Sequence, residues 1–136
     1  MVDIHDEYRP TGLSRTLPNL MTQEGIAGNE TMPDARHNTT LPFTRFLAGP
    51  ADYTPCYFNN RVKATHGHQL AMPVVYYSPI TFLYWYDTPQ LYRGEKELDF
   101  WKHVPTTWDE TYPIDGQIGE YVAIARRSGQ NGLWES

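Results

Sequence analysis

The sequence predicts an α/β fold that passes into β structure toward its C-terminal end. Three observations predict it. A short apolar run opens the chain at Met1–Ile4, two helix-compatible stretches follow in the middle, and the tail carries alternating, β-branched segments. The 136 residues amount to about one domain's worth of chain. With 40% apolar, 14% aromatic and only 20% charged residues, the composition is too apolar and too weakly charged for disorder.

The elements follow in order. Met1–Ile4 suits the end of a buried strand, with polar residues beginning at His5. From Asp6 to Pro33 little is periodic, and Pro10, Gly12, Pro18, Gly25, Gly28 and Pro33 mark long loops around a short strand near Leu17–Met21. Loops of that length in a compact domain are usually functional or disordered, and the aromatic and apolar content nearby argues against disorder. Thr39–Ala48 reads as a helix through Leu41, Phe43, Phe46 and Leu47, with Asn38 or Thr39 as N-cap, Pro42 in the first turn and Gly49-Pro50 as the stop. Ala51–Asn60 is a second loop rich in Tyr, Asp and Pro. Thr65–Tyr77 repeats Leu70, Val74 and Tyr77 at helical spacing, although Pro73 removes an internal hydrogen bond. The apolar run Ser78–Tyr86 fits either a strand or a buried helix. Thr88–Tyr92 and Lys96–His103 read as short helices, the second ended by Pro105. Thr106–Thr111 and Gly119–Arg127 read as strands.

Charge excludes some functions. The 11 Lys+Arg against 16 Asp+Glu leave a net charge of −5, and there is no Lys/Arg run, so the electrostatic footprint of a nucleic-acid binder is missing. No stretch reaches the ~20 apolar residues of a membrane span. The start has neither the basic nor the apolar region of a signal peptide. The single cysteine, Cys56, has no internal partner and reads as a small, partly buried hydrophobe.

Acidic residues gather in the first loops at Asp6, Glu7, Glu24 and Glu30. Loop carboxylates serve as acid and base in glycoside hydrolysis or bind a hard cation through oxygen. On a helix Glu24 and Glu30 would face different ways, so a shared site requires a looped backbone, which Gly25 and Gly28 permit. The five histidines show no metal-ligand spacing. His66-Gly67-His68 falls at a helix start, where capping or exposure suffices, and Asp109-Glu110 reads as structural. Nucleophile-elbow, phosphate-loop and dinucleotide motifs are all missing. Tyr53, Tyr57 and Phe58 are candidates for stacking on sugar faces, whereas Tyr84-Trp85-Tyr86 reads as core.

Ordered blocks carry a family resemblance: Arg9-Pro10-Thr11-Gly12, Arg15-Thr16-Leu17-Pro18-Asn19-Leu20, Glu24-Gly25 with Gly28-Asn29-Glu30, Leu41-Pro42-Phe43-Thr44-Arg45, Ala48-Gly49-Pro50-Ala51-Asp52-Tyr53-Thr54, His68-Gln69-Leu70-Ala71, Val104–Thr111 and Gly119-Glu120-Tyr121 with Ala125-Arg126-Arg127. In this order they resemble glycoside hydrolase family 97, the calcium-dependent α-glucosidases and α-galactosidases. The resemblance implies a parent with an N-terminal β-supersandwich, a central (β/α)8 barrel and a C-terminal β domain. Residues 1–104 resemble the last strands and helices of the barrel, and 105–136 the first strands of the C-terminal β-sandwich domain. A whole barrel takes about 250 residues, so only part of one is expected here. The long loops would lie at the C-terminal face, where barrel enzymes keep their sites.

Carried over by the resemblance, Glu30 is the general acid, and Glu24 and Glu30 are ligands of Ca2+, with a further ligand coming from the N-terminal domain. Asp6 falls where the inverting branch keeps a carboxylate base. The retaining branch has Gly there and uses an Asp nucleophile on an earlier strand. Asp is shorter than the expected Glu, and Glu7 follows it. Asp6 therefore reads as the base, as an additional metal or substrate ligand, or as a bystander. The implied substrate is an oligosaccharide or other α-glycoside, and the implied location of the parent is the periplasm or cell surface. The chain alone is expected to be an inactive piece of an α-glycosidase, whether α-glucosidase or α-galactosidase. The competing reading is a non-catalytic remnant that binds carbohydrate and calcium.

Overall fold

β1 (Val2–Ile4) and β2 (Leu20–Gln23) pair in parallel, with Val2 opposite Leu20, Asp3 opposite Thr22 and Ile4 opposite Gln23. The computed structural model describes residues 1–6 and 8–135, with side chains through residue 130. Glu7 lies outside the described residues. The second strand starts later than the expected Leu17–Met21. A turn in which the Leu20 N–H donates to Leu17 O occupies residues 17–20, and Leu17 stays exposed. Beyond β2, the Glu24 N–H donates to Ile4 O at 2.9 Å. The pairing thus ends with Glu24 beside His5.

α1 (Ala35–Thr40) is capped by Asp34, whose carboxylate accepts the His37 N–H at 2.9 Å. This corrects the expected helix over Thr39–Ala48. The helix begins four residues earlier, and residues 41–48 form two 3-10 turns, Leu41–Phe43 and Arg45–Ala48. Pro42 supplies no N–H to continue an α-helix. Asn38, expected as a cap, is buried instead, accepting from the Tyr53 hydroxyl and donating to His68 Nε2. α2 (His66–Val75) matches expectation, with Thr65 accepting the His68 N–H and Pro73 tolerated inside.

Residues 51–57 are buried without joining a strand. They run between the acid-bearing loop and the segment after α2, hydrogen bonded to both: Asn29 N–H to Tyr53 O, Ala51 N–H to Tyr77 O and Tyr84 N–H to Pro55 O. The run Ser78–Tyr86 is neither strand nor helix but an irregular loop. Tyr84, Trp85 and Tyr86 are exposed rather than core. Tyr53 and Tyr57 are the reverse, buried in the two hydrophobic clusters and closed to a sugar. Pro89–Leu91 and Lys96–His103 are 3-10 turns.

The tail forms one antiparallel sheet in the order β3 (Glu110–Gln117), β4 (Tyr121–Ser128), β5 (Asn131–Glu135). The first tail strand was expected over Thr106–Thr111. It starts at Glu110 and runs through Pro113, which an edge strand tolerates beside a bulge between Pro113 and Asp115. As expected, Asp109 and Glu110 are structural, both engaging Arg127. β4 docks the sheet onto α2: Ile124 joins Leu41, Tyr53, Met72, Val75 and Tyr76 in the main core, and Arg126 Nη2 donates to Val75 O at 3.0 Å.

Candidate active site

The turn from β2 to α1 carries both glutamates. Gly25 takes a φ of +47°, and a Cβ there would sit 2.6 Å from Tyr8 O. A Cβ on Gly28 would sit 2.4 Å from Tyr53 O. Glycine is therefore required at both places, by conformation at the first and by close backbone approach at both. Arg45 holds the same turn from beneath, its guanidinium donating to the carbonyls of Gln23, Glu24, Gly25, Gly49 and Pro50. Asn29 is buried, its side chain accepting from the Cys56 N–H and from Gln69 Nε2. Glu30 follows directly from this pinned residue.

The loop brings Glu24 and Glu30 together. A ligand atom from each, and one from His5, all lie within 4.8 Å of one another. Glu24 is buried, and its Oε2 accepts the Asp6 N–H at 2.9 Å. Burial pushes the Glu30 carboxyl above the usual range, and the charge of Glu24, the nearby Asp6 and a hydrogen bond shared with Glu24 push the same way. Asp6 is exposed and has a positive φ of 55°. It meets the site through its backbone N–H and through its charge.

His5 is the residue that sequence spacing missed. Its Nε2 lies 3.1 Å from both Asp3 Oδ2 and Asp52 Oδ2, and its Nδ1 lies 4.0 Å from Glu24 Oε2. Burial lowers its pKa, but Asp3, Asp52 and Glu24 together more than reverse this, and the imidazole is raised above its ordinary value. Burial lifts Asp52 to about 6, against hydrogen bonds from the Thr54 and Phe82 N–H groups that favour the carboxylate. The Asp3–His5 spacing of two, which puts both on one side of a strand, was the available signal. Asp52 comes from 47 residues away and had none. Trp85 stacks on His5 with centroids 5.3 Å apart, and Phe82 meets it edge-on at 5.8 Å. His66 instead stacks on Tyr57, and His68 pairs with Asn38.

No family model matches the chain. Among curated proteins it is 37% identical over 150 residues to a retaining α-galactosidase of Bacteroides thetaiotaomicron, covering 95% of this chain and 22% of that protein. It is likewise 37% identical over 142 residues to a probable retaining α-galactosidase of Streptomyces bingchenggensis, covering 98% and 21%. A glycoside hydrolase family 97 enzyme from Pseudoalteromonas sp. strain K8, solved with acarbose, superposes with a TM-score of 0.82 at 35% identity over 95% of this chain and 22% of that one. Over nearly its full length the chain is similar to one segment of a glycoside hydrolase family 97 enzyme. It spans about a fifth of the length of these relatives and of the family 97 structure. A solved β-arabinopyranosidase also matches, with a TM-score of 0.77 at 29% identity over 95% of this chain. The chain is a small α/β unit that the family 97 structure matches along nearly its full length.

Proposed function

We propose that this chain forms the acid- and cation-bearing part of an enzyme hydrolysing α-galactosides. The carrying observation is the pair Glu24–Glu30, brought by a glycine-bearing turn to within 4.8 Å of each other and of His5, with the Glu30 carboxyl raised. A raised carboxyl holds its proton until a leaving glycosidic oxygen needs it, so Glu30 is the general acid. The relatives' description as retaining α-galactosidases supports the galactoside and retaining readings. In a retaining enzyme the nucleophile lies outside this chain, and Asp6 orients Glu24 through its N–H rather than acting as base.

Calcium fits the donor set. Carboxylate oxygens of Glu24 and Glu30 are the hard donors that Ca2+ takes, and their mutual repulsion is what a dication relieves. Bound there, the cation would orient and polarise sugar oxygens. Glu24 would hold it, and Glu30 would both hold it and carry the proton. In this reading residues 1–104 are the last strands and helices of a (β/α)8 barrel, with β1 and β2 as neighbouring barrel strands, and 105–136 begin a C-terminal β domain. The parent would work on oligosaccharides in the periplasm or at the cell surface.

The test is a chimera in which this chain replaces the corresponding stretch of the Bacteroides thetaiotaomicron α-galactosidase. Hydrolysis of aryl α-galactosides is expected. Glu30→Gln should abolish it for poor leaving groups and spare it for activated ones, the signature of a lost acid. A folded chimera without hydrolysis, or a Glu30→Gln loss independent of leaving group, sinks the reading.

A further inference from the structure

An apolar stretch of sequence is held open to solvent beside the carboxylates. Phe82 is 47% exposed and Trp85 37% exposed, although Ser78–Tyr86 is among the most apolar runs of the chain. Exposure here does not come from a loose loop. The Phe82 N–H donates to Asp52, the Tyr84 N–H to Pro55 O at 2.7 Å, the Tyr86 N–H to Cys56 Sγ, and Asp87 accepts the Tyr57 and Phe58 N–H groups. These pins fasten the loop to the buried segment 51–57, so its rings are held at fixed positions beside the carboxylates. Phe82 and Trp85 pack on each other at 5.8 Å, and both rest on His5, which reaches Glu24. A grouped, exposed aromatic surface next to polar groups marks a binding site more often than chance exposure does.

We infer that Trp85, buttressed by Phe82, is a sugar-stacking platform that selects the galacto configuration; this rests on the proposed α-galactoside reading. The chemistry is that of the pyranose ring. In a galactopyranoside the axial C4 hydroxyl leaves the C3, C4 and C5 hydrogens together on one face, giving a continuous apolar patch. In a glucopyranoside the C4 hydrogen lies on the opposite face and the patch is broken. A flat indole beside hydrogen-bonding carboxylates complements the first better than the second. One side of the indole is taken by His5, and the exposed remainder is available to the sugar.

The experiment is saturation-transfer NMR on the full chain with Ca2+, using methyl α-D-galactopyranoside and methyl α-D-glucopyranoside, alongside a separate calorimetric Ca2+ titration. Saturation is expected to concentrate on H3, H4 and H5 of the galactoside, with the glucoside binding more weakly. Trp85→Ala should weaken galactoside binding about tenfold and largely erase the preference between epimers, while Trp85→Phe retains part of both. Both variants should bind Ca2+ as the wild type does, which also shows that they fold. Failure of the galactoside to bind, even saturation around its ring, or an unchanged epimer ratio in Trp85→Ala overturns the platform. Those results leave the acid and cation reading standing if Ca2+ still binds. Epimer selection by Trp85 without Ca2+ binding would instead keep the platform and remove the cation reading.

Discussion

Glu30 gains its character from what surrounds it. Burial and the neighbouring Glu24 favour its neutral form, and a cation bound between the two would favour the charged one. A proton on Glu30 therefore weakens its hold on calcium without excluding it, and affinity should fall as pH drops through that raised pKa. Calorimetry across the acid range should show binding weakening steadily as pH falls, and Glu30→Gln should weaken binding at pH 7 by about tenfold or more. The His5–Asp52 contact predicts a separate effect on stability. Both groups are raised in the folded protein, Asp52 to about 6, so both contribute stability at low pH. The Asp52 contribution is lost as pH rises through about 6, and that of His5 as pH rises through its own folded value above 6.5. The thermal midpoint should drop by roughly 3–6 °C from pH 5.5 to pH 8, and Asp52→Asn should flatten that slope. Glu24 and Glu30 were legible through the family resemblance, and the glycines between them only permitted the loop that brings them together. Asp52 was not, because only the folded chain brings it to His5.

The turn that carries the acids is fixed by backbone demands as much as by side chains. Gly28→Ala would drive a methyl group into Tyr53 O and break the Asn29–Tyr53 hydrogen bond, costing about 2–3 kcal/mol in urea denaturation and displacing Glu30. Arg45→Lys should cost about 2–3 kcal/mol, since one ammonium cannot serve the five carbonyls that the guanidinium fork reaches. Calcium binding should weaken in both variants, which separates damage at the site from a general loss of packing. Other elements were harder to foresee, each for a local reason. Asp34 outcompeted Asn38 and Thr39 as a cap because Asn38 was needed in the core by Tyr53. Pro113 and Gly116 disguised β3, which survives them as an edge strand with a bulge. The apolar run 78–86 carries no period because its backbone bonds to side chains and to residues 51–57 rather than to a ladder.

At the scale of the whole molecule, β1 and β2 make a parallel pair three and four residues long, well below what such strands need to be stable alone. β3 is an exposed sheet edge bearing Tyr112, Ile114 and, at its turn, Ile118. Light scattering should show association that rises with concentration, and Ile114→Lys with Ile118→Lys should reduce it. The chain by itself should leave p-nitrophenyl α-galactoside uncleaved, with no rate above buffer, because the nucleophile of the proposed reaction lies elsewhere. The α/β character and the β tail were readable from the order of segments. The sheet's docking onto α2 was not, since it depends on Ile124 and Arg126 reaching residues some fifty positions earlier.

Cys56 turns this architecture into its own reporter. It is the sole thiol, fully buried, its N–H bound to Asn29 beside Glu30 and its sulfur accepting from Tyr86 in the aromatic loop. Burial also raises its pKa, which keeps it in the unreactive thiol form. A maleimide or disulfide reagent can reach it only when the segments packed over it, the acid turn and the aromatic loop among them, part. Its labelling rate is thus a clock for the opening of the site, readable by mass spectrometry without any engineered probe.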